Sequence, residues 1–182
     1  NFANALLGVI RPEDVYIAHL LSDLGALHAG ITCLLDYSHV TKTTDIADAA
    51  VRGHVESGIR AVYAYAAPRL AMPSPFPDDV HRIKQRFFSS SDQLTTLRLG
   101  TALDPAMFAL ARQVGIGIHC DGIYGMKTAQ RPDSTPILTE MAAAGRLGPD
   151  VTLIHGTGSN AELLRVLVQQ RVNLALAPTS DA

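Results

Sequence analysis

The chain has 182 residues, a formal net charge of −2 from 15 basic and 17 acidic residues, and a 47% hydrophobic content. Charges of both signs are interspersed without a basic stripe, which argues against a nucleic-acid partner, and the apolar runs are strand-length, well under the ~20 residues of a membrane span. Cys33 and Cys120 suggest no disulfide framework; no cationic segment leads into an apolar one at the start, so the cytoplasm is the expected compartment.

In chain order, NFANALLGVI has no obvious first strand. Pro12, Glu13 and Asp14 then suit the first turn of a helix over 13–29, where a missing N–H costs nothing and acidic groups meet the positive end of the dipole. Gly30 stops it, and ITCLLD predicts a strand over 31–36. A helix over 45–57 ends at Gly58 before a strand over 59–65. Ser74–Pro77 reads as a loop, followed by a helix over 78–88 and a strand over 94–100. Asp104-Pro105 opens a helix over 104–114, closed by Gly115 and a strand over 115–120. After the loop at Arg131-Pro132-Asp133 come a helix over 134–144, a stop at Gly145 or Gly148, and a strand over 151–155. Asn160 caps a helix over 160–170, and VNLALA predicts a strand over 172–177. The glycines stand where a helix end wants a left-handed residue, and Asp104 and Asn160 where one wants a side-chain acceptor.

Strands alternating with helices, without hairpin signals, predict a parallel sheet. Two architectures fit: an open doubly wound sheet complete in this length, or a (β/α)8 barrel, which typically needs ~250 residues. No Gly-rich phosphate fingerprint follows any strand; GTGSN after His155 is neither GxGxxG nor a P-loop. Gly115, Gly117 and His119 share one strand face and Ile116 and Ile118 the other, as a barrel with space beside His119 would require.

His119 closes GIGIH and His155 closes VTLIH, about one strand–helix–strand repeat apart. The C-terminal tips of parallel strands are where catalytic groups gather, so two imidazoles there point to chemistry. A plainer reading makes each a strand-end histidine bonded to backbone. His39, after the strand over 31–36 in DYSH, Arg98, on the parity opposite Leu97 and Leu99, and Asp121 and Tyr124, after His119, are candidates to line the same mouth. Asp36 is expected to orient a loop backbone or face that mouth, while His19, His28, His54 and His81 lie in helical patterns and are expected to be solvated or capping.

The stretches ALHAGITCLLDYSH, AAVRGHVESGIRAVYAYA, LARQVGIGIHCDG and LGPDVTLIHGTGSNAELLRVL resemble the second, third, fifth and sixth barrel units of the cytosine deaminase and triazine hydrolase branch of the amidohydrolase superfamily. The resemblance implies an incomplete (β/α)8 TIM barrel, residues 1–182 forming units two to seven with the first and eighth strands missing. It implies a metal-dependent hydrolase acting on a C–N or C–halogen bond of a small, cyclic substrate, with one divalent ion, zinc or else iron. His119 matches the fifth-strand metal ligand and His155 the sixth-strand histidine beside the metal water; His155 and Asp121 are taken as catalytic, and His39, Arg98 and Tyr124 as substrate-binding.

The sequence departs from that pattern. It has no His-x-His pair for the first strand, Asp181 follows the seventh strand and is not the eighth-strand ligand, and Gly122 stands where the branch often carries a proton-shuttle Glu. Asp121, one position off, is expected to point elsewhere if the strand continues. The fragment alone is therefore expected to be inactive, and to form a homo-oligomer or pair with the remainder of the barrel. The alternatives are a doubly wound domain working without metal, and a degenerate barrel kept as a binding or assembly module.

Overall fold

The computed structural model describes residues 2–69, 72–123, 133–157 and 159–176, with the backbone alone for 2–4, 122 and 123. It contains helices α1 Phe2–Val9, α2 Pro12–His28, α3 Thr44–Ser57, α4 Val80–Phe87, α5 Pro105–Val114, α6 Thr135–Ala143 and α7 Ala161–Gln169. The strands are β1 Cys33–Ser38, β2 Arg60–Tyr65, β3 Thr95–Thr101, β4 Gly117–Ile123, β5 Val151–His155 and β6 Asn173–Ala175. Among the described residues no helix is long and apolar enough to cross a membrane.

The punctuation is local chemistry. Thr43, Asp104 and Asn160 each accept a hydrogen bond from a backbone N–H in the first turn of α3, α5 and α7. Gly58 and Gly115 end α3 and α5 at φ 74°, a left-handed conformation that a side chain disfavours. Of the two glycines considered after α6, Gly145 takes the left-handed turn, at φ 65°. The helix α1 has no counterpart in the sequence expectations: its Ala and Leu residues favour helix, but its eight residues show no clear apolar period.

The strands follow one another in the sheet in chain order, β1-β2-β3-β4-β5-β6. The β1/β2, β4/β5 and β5/β6 pairs are parallel. A doubly wound sheet reverses its order at a switch point; this order never reverses, which is the winding of a (β/α) barrel and removes the doubly wound alternative.

The chain divides into two compact units, Asn1–Arg98 and Leu99–Ala182. In the first, Ile46, Val51, Tyr63, Tyr65 and Ile83 are fully buried and form the core of α3, β2 and α4. In the second, Ile118 and Cys120 of β4 pair with Val151 and Leu153 of β5, and all four are fully buried. Paired residues of parallel strands share a face, so this apolar quartet is one side of the sheet. Burying each such side chain contributes roughly 1.5–3 kcal/mol.

Candidate active site

The other side of β4 carries the polar groups. His119 pairs with Thr152 and Asp121 with Ile154, opposite the apolar quartet. His119 is buried, at 7% exposure. The strand β4 runs on past Cys120 to Ile123, so Asp121 falls on the face opposite position 122, where the related branch often carries its Glu, and shares the face of His119 by simple alternation. A register shift between Asp121 and Ile123 then sets Ile123 against His155.

His155 breaks its own alternation. By parity it belongs with Val151 and Leu153 on the apolar side, yet its backbone is left-handed at φ 76°, followed by Gly156 at φ 69°. A non-glycine residue held there stores roughly 1–3 kcal/mol of strain. The turn takes the ring off the apolar layer, and its Nε2 stands 3.2 Å from Asp121 Oδ1, both side chains partly open to solvent. The two residues proposed from sequence as catalytic are thus brought together. The Cys120 thiol, on the opposite face, is pushed well up by burial and further by the Asp121 charge, and stays protonated.

The residues expected to bind substrate are placed as follows. His39 follows β1; its ring lies 4.8 Å from that of Tyr37, and its Nδ1 is 2.9 Å from the Ala67 carbonyl, tying the loop after β1 to the loop after β2. Arg98 is half-buried on β3, on the parity opposite buried Leu97 and Leu99, as its position in the strand implied. Tyr124 and Asp181 lie outside the described residues.

A second polar group was not foreseen. His28 and His81 are exposed as expected, but His19 and His54 are not. His19 Nε2 stands 3.1 Å, and His54 Nε2 3.3 Å, from the same Asp36 Oδ2. His54 Nδ1 is 2.8 Å from Asp23 Oδ2, which also accepts from Ser57 Oγ at 2.9 Å. Burial pushes the Asp36 carboxyl up, but the hydrogen bonds and charges of His19 and His54 outweigh it and hold the group at about 2. Burial likewise opposes charge on His19, yet Asp36 and the Val15 carbonyl raise its pKa above the ordinary histidine value. The signals available in sequence were the i, i+4 spacing of His19 and Asp23 and the i, i+3 spacing of His54 and Ser57, each placing two polar groups on one helix face.

Among the described residues, His19, Asp36 and His54 are the group whose ligand atoms gather within 4.8 Å of one another. His119 is not in it. The residues around His119 fit one edge of a metal centre: a single buried imidazole within β4, with Asp121 two residues further along the same face and paired to His155 at the end of β5. Catalytic zinc sites use about three protein ligands.

No protein-family model and no curated protein matches the sequence. Solved structures do. An adenosine deaminase from Xanthomonas campestris with bound zinc matches with TM-score 0.77 and 18% identity, over 99% of this chain and 43% of its own. A triazine hydrolase from Arthrobacter aurescens matches with TM-score 0.74 and 17% identity, over 96% of this chain and 44% of its own. A mutant atrazine chlorohydrolase from Arthrobacter aurescens TC1, complexed with zinc and atraton, matches with TM-score 0.69 and 14% identity, over 93% of this chain and 43% of its own. The chain spans less than half the length of these proteins, and its fold is an incomplete (β/α)8 barrel like part of theirs.

Proposed function

We propose that this chain is part of a metal-dependent hydrolase that cleaves a C–N or C–halogen bond of a small cyclic substrate. The observation that carries the reading is the pairing of His155, the last residue of β5, with Asp121 at 3.2 Å, two residues beyond buried His119 on the same face of β4. Two adjacent parallel strands then present a ligand-type imidazole and a proton-handling pair on one face of the sheet. The activities of the matched solved structures, a deaminase, a triazine hydrolase and an atrazine chlorohydrolase, suggest the bond classes.

In this reading His119 offers one nitrogen to a divalent ion, zinc or else iron, completed by ligands outside the described residues. Such an ion, when bound, supplies a water that ionises near neutral pH. His155 moves a proton between that water's position and the leaving group, as imidazoles do at near-neutral pH. Asp121 accepts a hydrogen bond from the His155 ring, fixing its tautomer and favouring its cationic form once the proton arrives. His39, Arg98 and Tyr124 are assigned to the substrate. The strained backbone at His155 fits this role, since left-handed non-glycine residues persist where the surroundings hold them for a purpose.

The test is release of ammonia or halide from aminated and chlorinated heterocycles by the zinc-loaded full-length protein that contains this chain, the chain alone being expected to be inactive. His119→Ala is expected to abolish metal-dependent turnover, and His155→Asn to lower it by roughly 10²-fold or more. Undiminished turnover in His119→Ala, or none from the wild type on any such heterocycle, overturns the proposal.

A further inference from the structure

The His19–Asp36–His54 group belongs to the first unit, His119 and His155 to the second, and nothing in the hydrolytic reading uses it. Its hydrogen atoms can be placed by elimination. The Val15 carbonyl oxygen, 2.8 Å from His19 Nδ1, only accepts, so that nitrogen carries a proton. The Asp23 carboxylate, 2.8 Å from His54 Nδ1, fixes the proton of His54 in the same way. In neutral rings both Nε2 atoms then present lone pairs, and both are aimed at one acceptor, Asp36 Oδ2, from 3.1 and 3.3 Å. Three lone pairs facing one another need positive charge between them.

We infer that His19, Asp36 and His54 form a binding site for one divalent transition-metal ion of the zinc type, tying α2, β1 and α3 together. The donor set, two imidazoles and a carboxylate, is one that zinc takes. In a tetrahedral site with bonds of ~2.0–2.1 Å, ligand atoms stand about 3.3 Å apart, which the two nitrogen–oxygen separations nearly match. The outer partners agree as well: metal-binding histidines characteristically donate their other ring N–H to a backbone carbonyl or a carboxylate, here Val15 and Asp23. Ser57 Oγ donates to that same Asp23 oxygen and braces it.

Two extra protons would meet the same lone pairs. They would also set two imidazolium rings edge to edge, with centroids 4.9 Å apart, where His54 is only 2% exposed. A buried like-charge pair of that kind is disfavoured both by desolvation and by repulsion. One ion shared by both nitrogens removes the conflict.

The full chain, freed of metal with a chelator, is titrated with zinc sulfate and with cobalt(II) chloride in a His119→Ala background, so that the histidine of the hydrolytic reading contributes nothing. One equivalent is expected to bind, and zinc at about 100-fold above its Kd should raise the melting temperature by roughly 5–10 °C. Asp36→Asn should abolish the bound equivalent, and Asp23→Asn should weaken it about 10–100-fold. Nitrogen NMR of the rings provides a readout that needs no folded variant: zinc should shift the Nε2 resonances of His19 and His54 and leave their Nδ1 atoms protonated. Absence of binding at micromolar zinc, undiminished binding in Asp36→Asn, or Nε2 resonances unmoved by zinc would each overturn the site.

Discussion

A Cβ built on Gly53 of α3 would stand 2.7 Å from His19 Cβ on α2, with the Tyr16 carbonyl oxygen at 3.0 Å and the Leu20 nitrogen at 3.2 Å. The two helices therefore cross closely enough to need a residue without a side chain, immediately before His54. That crossing delivers the His19 and His54 rings to Asp36. Gly53→Ala gains up to ~1 kcal/mol of helix propensity but must push backbone aside, at a cost of roughly 1–3 kcal/mol. The urea midpoint is expected to fall. Gly25→Ala, in the interior of α2 with no atom within 4 Å of the added Cβ, is the matched control and should raise the midpoint slightly. Equal midpoints for the two variants would contradict the close crossing.

Replacement of His155 separates function from stability. Asn tolerates the left-handed region better than most residues, so His155→Asn relieves part of the strain at φ 76°. It also loses the partly exposed contact to Asp121, worth about 0–1 kcal/mol. These effects oppose each other, and the unfolding free energy should stay within ~1 kcal/mol of wild type while hydrolysis is lost. Gly156→Ala should do the reverse. Its Cβ would lie 2.9 Å from Leu176 Cδ2 at a position already left-handed, so calorimetry should record a lower melting temperature.

The comparison of sequence with structure turns on range. The stops at Gly58 and Gly115 and the caps at Asp104 and Asn160 were legible because each depends on residues within one helical turn. His155 was legible as the last residue of its strand, whereas His119 stands third of the seven residues of β4 because that strand runs on to Ile123. The end of that strand was placed three residues short, at 120 instead of Ile123, because the polar run after His119 carries no apolar alternation to mark it. His19 and His54 were missed for another reason: Ile17, Leu21 and Leu24 mark the apolar stripe of α2, and a surface helix normally turns that stripe inward. Here all three are exposed, and the opposite face, with His19 and Asp23, meets β1 and α3.

The start of α2 gives a pH dependence with a definite sign. The Arg11 guanidinium, and then its backbone N–H, donate to the Asp14 carboxylate at 3.0 Å and lower its pKa from 3.8 to about 2. A depressed carboxylate contributes stability that is fully present above the unfolded value and lost as pH falls through the folded one. Asp14→Asn should therefore lower the melting temperature modestly at neutral pH, with the difference fading between pH 4 and pH 2. Because the pair is fully exposed, added salt should shrink the effect. A difference between wild type and variant that persists unchanged to pH 2 would show that the cap does not work through the Asp14 charge.

The outward stripe of α2 has a consequence for assembly. Ile17, Leu21 and Leu24 recur at i, i+4 and i+7, and Leu27, Ile31 and Leu35 are exposed as well. An apolar stripe in water favours any contact that covers it, at about 25 cal/mol per Å² buried. The matched solved structures are more than twice as long as this chain, and the proposal is that the stripe receives either the remainder of such a barrel or a second copy. The isolated 19.4 kDa chain is then expected to elute above its monomer mass in size-exclusion chromatography with light scattering. Leu21→Glu with Leu24→Lys, both on the exposed face, should return it to a monomer without lowering its helix content. A wild-type chain that is already monomeric at ~100 µM, well above the concentration at which a micromolar dimer forms, would mean that the stripe is tolerated in water and binds nothing.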